Sequence, residues 1–174
     1  MTDRTDELDT LLAKQAIAEA LAAYCRGVDL VDGDLARSVF HADAVADYGA
    51  MFSGTGYEFV AFIEQVHPAM EAHHHQIGNI TVTVDGDHAG SECYVTVHLR
   101  SRTPDGVLQD TRSCGRYVDR WERRDDTWRI RHRRYLHHLD ESTPVTSPGF
   151  PTTGRRDRED PSYAVLADPS GSGR

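Results

Sequence analysis

Lysine is almost missing from this chain: Lys14 is the only one, so nearly every positive charge is an arginine. Most Schiff-base mechanisms are thereby excluded, because they need a lysine amine in the pocket. Cysteine is scarce as well. Cys25, Cys93 and Cys114 stand far apart with no C-x-x-C pair, which argues against a disulfide framework and a zinc knuckle and leaves buried free thiols as the plain reading. No run approaches the roughly 18 consecutive apolar residues of a membrane span. The N-terminal Met1-Thr2-Asp3-Arg4-Thr5-Asp6-Glu7 is too acidic for a signal or transit peptide. The expected location is the cytoplasm, with no membrane partner. A net charge of −9 opposes binding to a phosphate backbone, so nucleic acid is not an expected partner either. An internal repeat, a Gly-rich phosphate loop, H-E-x-x-H and G-x-S-x-G are all missing.

What is present suits one globular domain: 174 residues, 39% hydrophobic and 27% charged. Apolar positions Leu8, Leu11, Leu12, Ile17, Leu21 and Val28 predict a helix from about Asp6, whose carboxylate can cap it, to Val31. Asp32-Gly33-Asp34 then supplies a break, with Gly33 free to turn left-handed and Asp34 able to cap a short helix from Leu35 to Phe40. Ala44 to Tyr48 alternates like a short strand, and a third helix is expected from Tyr57 to Met70, with Val60, Ile63 and Val66 inward. Turn signals separate four further strands: His73 to Val84, Ala89 to Thr103, Val107 to Trp121 and Trp128 to Leu139. Helices followed by an antiparallel meander make an α+β architecture, with a curved sheet wrapping the first helices around a cavity. Residues 1–140 form the expected domain. From Glu141 to Arg174 the chain holds five of its seven prolines and reads as a tail, with Tyr163, Val165 and Leu166 able to dock as a short lid or on a neighbouring subunit.

Polar residues inside apolar patterns carry the functional information, since burial without a partner costs free energy. Tyr24 lies on the apolar stripe of the first helix, one turn past Leu21, whereas Asp29 is rotated from it by about 140°. The two share a cavity only if it wraps around the helix end; otherwise they are a core tyrosine and a helix-terminal aspartate bound to backbone donors. His73-His74-His75-Gln76-Ile77-Gly78-Asn79 opens the first meander strand, where alternation sends one of three consecutive histidines opposite to the other two. An inward His75 carries Ile77 and Asn79 with it and drives Ile80, Val82 and Val84 outward, unless a bulge near Gly78 switches the register; that bulge is expected. Neighbouring strand residues cannot jointly enclose an ion, so no metal is implied, and a solvated histidine run is the competing reading. Tyr48, His98, Tyr117 and His137 are candidate substrate contacts, with Tyr94, Asp119 and His132 weaker ones. The eight arginines between Arg116 and Arg134 fall mostly on alternate positions, as on a solvated outer face or subunit contact.

The order of elements and the words Tyr24-Cys25-Arg26-Gly27-Val28-Asp29, Phe40-His41-Ala42-Asp43-Ala44, His75-Gln76-Ile77-Gly78-Asn79, Gly115-Arg116-Tyr117-Val118-Asp119-Arg120 and Trp128-Arg129-Ile130 resemble the SnoaL-like branch of the nuclear transport factor 2-like superfamily, over roughly residues 8 to 140. Scytalone dehydratase, bile acid 7α-dehydratase and lindane dehydrochlorinase are members that the words bring closest. The resemblance implies a helix aspartate, Asp29, paired with a strand histidine, His75, and a tyrosine five residues before the aspartate, Tyr24. Tyr48 resembles the tyrosine after an acidic residue in scytalone dehydratase. His98 or Arg100 stands where that enzyme has its second histidine, and His137 falls near the late arginine of the bile acid enzyme. No cofactor is implied.

On these residues the expected chemistry is loss of water beside a carbonyl of a small hydrophobic ring, polyketide-like or steroid-like compound. Asp29 would orient His75 as base, and Tyr24 would bind the carbonyl oxygen as negative charge develops. Isomerase and cyclase chemistry use the same groups, and a non-catalytic binding or structural subunit is the alternative of another class. A homodimer or homotrimer is the superfamily's expectation.

Overall fold

The computed structural model describes residues 4–147 and 149–171; the expected start of the domain at 1–3 and the tail residues Pro148 and 172–174 lie outside them. Among the described residues the elements run α1 Arg4–Asp29, α2 Gly33–Ser38, β1 Phe40–Asp47, β2 Ser53–Thr55, α3 Gly56–Val66 with a 3₁₀ turn His67–Ala69, β3 Ala72–Asp85, β4 His88–Arg102, β5 Leu108–Arg124, β6 Thr127–Pro144 and α4 Pro161–Ala167. The strands form one sheet in the order β2-β1-β6-β5-β4-β3.

The four long strands fall within a few residues of the expected ones. The sheet nevertheless has six strands rather than four, because β1 pairs in parallel with β6 and brings β2 with it. Phe40 opens β1 instead of closing the second helix. That helix is capped by Asp32, whose side chain accepts from the Leu35 N–H at 3.1 Å, and not by Asp34. The left-handed residue at the break is Val31, with φ 54°, not Gly33. α3 starts in a capping box in which Thr55 and Glu58 satisfy each other's backbone N–H groups.

α1 lays Ala13, Ile17, Leu21, Tyr24 and Val28 against the sheet, a stripe at helical spacing. Leu8, Leu11 and Leu12, expected on that stripe, are 54 to 63% exposed. At about 100° per residue, Leu8 and Leu12 point roughly 180° and 140° away from Ile17, so only the helix's other face reaches the core. Gly27 allows α2 to approach: a Cβ there would lie 2.6 Å from the Ala36 backbone nitrogen. The facing strands supply Phe40, Ala44, Ala46, Val95, Tyr117, Trp121 and Ile130.

Bulges set which side chains enter the interior. In β3 the register shifts between Gly78 and Thr81, with Asn79 left-handed at φ 51°. His73, His75 and Ile77 therefore point inward before the shift, and Val82 and Val84 pack on the core after it. A second shift between β5 and β6, at Arg120/Trp121, reverses the side presented by β6: Trp128 and Ile130 are buried before it, Arg133 after it. The segment expected as a tail first prolongs β6 to Pro144, and residues 156–163 then return to the end of α1.

Gly27→Val places its Cβ against backbone that cannot yield cheaply. We expect a loss of about 2 kcal/mol or more in unfolding free energy, read from the urea midpoint at unchanged m value.

Candidate active site

Asp29 is the last residue of α1, and β3 is the edge strand beside it. The backbone N–H of His75 faces away from β4 and donates to Asp29 Oδ2 at 2.9 Å and Oδ1 at 3.2 Å. The same carboxylate meets His75 Nδ1 at 2.6 Å. A neutral imidazole making that contact carries its proton on Nδ1 and keeps Nε2 as an acceptor. The His75 side chain is 9% exposed and that of Asp29 20%.

His75 stands between two spaces. Inside, a cavity of about 120 Å³ is lined by Tyr24, Tyr48, Phe59, His67, His75, Tyr117 and Tyr135, with Val28, Ile63, Val97 and Leu99 among its apolar walls and the exposed Met51 at its edge. Outside, a shallow groove holds Asp29, Cys25, Arg26 and Ser162 together with His75. Tyr24 faces the cavity and Asp29 the groove, as their angular separation on α1 dictates. The imidazole, rather than a shared cavity, joins them.

The inner wall is a cluster of phenols. Tyr24 and Tyr48 share a hydrogen bond at 2.9 Å; Tyr48 stacks on Phe59 at 3.8 Å, and Tyr117 meets Tyr24 edge-on at 5.7 Å. Burial raises the pKa of all three tyrosines, so at neutral pH they are hydrogen-bond donors. Opposing that shift is Arg133, fully buried, with its guanidinium carbon 4.3 Å from the Tyr24 ring centre and 4.1 Å from that of Tyr117. Asp119 holds Arg133 by two bonds, 2.9 Å to Nε and 2.7 Å to Nη2. Burial works against the Arg133 charge, but Asp119 and the phenols outweigh it and raise its pKa well above the ordinary value. Arg133 Nη1 is buried without a hydrogen-bond partner among the described residues.

Two further histidines border the pair. His67 lines the cavity with its ring 6.3 Å from that of His75, and its Nδ1 lies 3.4 Å from the Val28 carbonyl. Burial first, then the neighbouring His73 and His75, push its pKa down to about 4, so it is neutral. His73 donates to the same carbonyl at 2.8 Å through Nε2. Among the described residues no three histidine, cysteine or acidic side chains, this cluster included, are arranged to hold a metal ion.

Two expected substrate contacts lie elsewhere. His98 is exposed on the outer face of β4, because alternation turns Val95, Val97 and Leu99 inward. His137, opposite Gly115 and just before the β5–β6 shift, is 49% exposed and paired with Asp140 at 3.0 Å. Tyr94 is likewise exposed, and Arg100 is bound to Asp110. The arginine-rich stretch is not wholly an outer face, since Arg133 is interior. Its signal was Asp119, which alternates with Tyr117 and Trp121 on the apolar side of β5 and so demands a buried cation. His67 follows Ile63 at helical spacing, which marks it as inward-facing.

An α+β cone whose closed end holds a carboxylate–imidazole pair and a tyrosine cluster defines the class. The SnoaL-like domain model matches residues 9–134, and the chain belongs to that family, within the nuclear transport factor 2-like superfamily. No curated protein matches the sequence significantly. Among solved structures, hexachlorocyclohexane dehydrochlorinase type 3 from Novosphingobium barchaimii superimposes with a TM-score of 0.69 at 21% identity, covering 84% of this chain and 99% of that one. A protein from Novosphingobium aromaticivorans provisionally assigned as a scytalone dehydratase gives 0.67 at 19%, covering 82% and 97%. The β subunit of a provisionally assigned aromatic-ring-hydroxylating dioxygenase from the same organism gives 0.60 at 22%, covering 74% and 91%. At these identities the likeness is one of fold.

Asp119→Ala strands the Arg133 charge in the interior and should cost about 3–5 kcal/mol of stability, measured by chemical denaturation. His67, depressed in the folded state, binds its proton first in the unfolded chain. Its contribution is complete above the ordinary 6.5 and is lost as pH falls toward about 4. Denaturation midpoints measured across this window should fall less steeply in His67→Gln than in the parent.

Proposed function

We propose that the protein is a cofactor-independent lyase of dehydratase type acting on a small hydrophobic ring compound that carries a hydroxyl β to a carbonyl. The observation behind this reading is the Asp29 carboxylate at 2.6 Å from His75 Nδ1, with the imidazole bordering an aromatic cavity. His75 Nε2 takes the proton from the carbon beside the carbonyl, and Asp29 stabilises the imidazolium that forms. Of Tyr24 and Tyr48, kept protonated by burial and sharing one hydrogen bond, the phenol that accepts in that bond donates its own O–H to the carbonyl oxygen as it gains enolate charge, and Arg133 beneath the rings adds positive potential. The electron pair then expels the hydroxyl, which takes a proton from the imidazolium and leaves as water. An alkene conjugated to the carbonyl remains, and His75 is again neutral.

Cavity size narrows the substrate. About 120 Å³ is well under the roughly 300 Å³ at which ordinary ligand pockets begin, which favours a single ring over a steroid. Two proteins of similar fold carry names that denote elimination from small ring compounds, a dehydrochlorinase and a dehydratase. Isomerisation or cyclisation would use the same base and donors. A protein of similar fold that is named as one subunit of a larger enzyme, the dioxygenase β subunit, suits the alternative of a structural subunit. A cytoplasmic homodimer or homotrimer completes the proposal; light scattering reads the oligomeric state.

Loss of water from monocyclic β-hydroxyketones, followed by the ultraviolet absorbance of the enone, is the direct test. Asp29→Asn and His75→Ala should each lower turnover by roughly 100-fold or more, and full activity in both refutes the assignment. By calorimetry, single-ring enones should bind the parent protein measurably tighter than four-ring steroids.

A further inference from the structure

The segment that follows β6 does more than cover the surface. Arg156 reaches three acceptors at once: its Nη1 donates to the His67 carbonyl at 3.0 Å and lies 3.3 Å from His73 Nδ1, and its Nη2 donates to the Met70 carbonyl at 2.7 Å. A guanidinium has donors only, so the His73 nitrogen that it meets must present a lone pair. The proton of His73 is therefore on Nε2, where it is given to the Val28 carbonyl at 2.8 Å. Val28 immediately precedes Asp29, and its carbonyl, in the last turn of α1, meets the Val31 N–H and His67 Nδ1 only at a longer 3.4 Å each, so that His73 is its shortest contact.

We propose that Arg156 is a positioning residue for the Asp29–His75 pair: by fixing His73 as an Nε2–H donor it ties the last turn of α1 to β3 and so sets the Asp29 carboxylate against His75. Burial lowers the pKa of His73, and the charge of Arg156 acts in the same direction, so the ring stays neutral although the Val28 bond favours its charged form. The segment is itself anchored beside the pair. Buried Asp32 accepts from Tyr163 Oη at 2.6 Å and from Arg158 at 3.0 Å. Arg26 donates to Ser162 Oγ at 2.9 Å and lies over the Tyr163 ring at 4.4 Å. Every one of these contacts joins the C-terminal segment to α1 or to the residues just after it, so the segment straps the helix end from outside while β3 holds it from within.

The inference rests on reading Asp29–His75 as the reactive pair, but its test does not need the reaction. Nitrogen-15 NMR of the imidazoles in the full chain at neutral pH reads the His73 tautomer, and hydrogen exchange reads the His75 amide that Asp29 accepts. In Arg156→Ala, with the fold verified by circular dichroism, His73 should populate the Nδ1–H tautomer and the His75 amide should exchange about tenfold faster. A folded Arg156→Ala protein with an unchanged His73 tautomer and unchanged His75 protection overturns the proposal. If that variant does not fold, Arg156→Lys supplies the same readouts. It keeps the charge but presents its donors from one nitrogen on a shorter head, where Arg156 divides its contacts between two, and parent-like values in both measurements likewise overturn the proposal. Absence of dehydration by the parent protein would sink the proposed activity and leave these spectroscopic outcomes as they stand.

Discussion

A carboxylate at the end of a helix is in an unfavourable place, because the helix dipole already puts partial negative charge there. Asp29 occupies that position and finds compensation in one residue, whose backbone N–H and imidazole both reach it. The bond to the backbone joins α1 to the free edge of the sheet; the bond to the ring orients the imidazole. One carboxylate thus ties the helix end to the sheet edge and orients the imidazole that borders the cavity. The edge of β3 supplies the donor because no strand lies beyond it.

The second constraint is a buried charge. Arg133 and Asp119 sit where water does not reach, and such a pair is sustained by the two bonds between them and by the ring faces around the guanidinium, with Nη1 left without a hydrogen bond among the described residues. Here the arginine shares its charge with the faces of Tyr24 and Tyr117, so the cation that holds the core together also electrifies the cavity wall. Packing and function are hard to separate in such an arrangement. The tyrosines are core residues by burial and donors by chemistry, and each role requires the other. A phenol kept dry stays protonated, and a protonated phenol is the group that can stabilise an oxyanion.

Much of the site was legible in the residues themselves. Tyr24 continues the apolar stripe of α1, Asp29 departs from it, and the switch at Gly78 follows from asking how His75 and Val82 can face the same interior. Those are local periodicities, and local periodicity survives into the fold. His98 was misread against the alternation of Val95, Val97 and Leu99, which turns it outward, and His137 stands at the start of the exposed stretch of β6, beside Asp140. A strand residue's side depends on register, and the shifts at Cys114/Gly115 and Arg120/Trp121 are set by pairing between two strands. Arg133 was hidden among neighbouring arginines by the same shift, although Asp119 carried the clue. The leucines early in α1 show how apolar content misleads without its angle: they are hydrophobic, and they face water.

The residues alone determined the long helix, the breaks between the meander strands, the α+β class and the pair of polar groups worth watching, because each is written in neighbours a few positions apart. Tertiary structure alone decided that β1 would lie parallel to β6, that Arg133 would turn inward, that His67 would join the cavity and that the proline-rich end would return to strap α1. These outcomes depend on which distant segments share a surface. That is settled by the joint burial of many side chains and by the pairing of backbone groups far apart in the chain, and no window of sequence contains both partners.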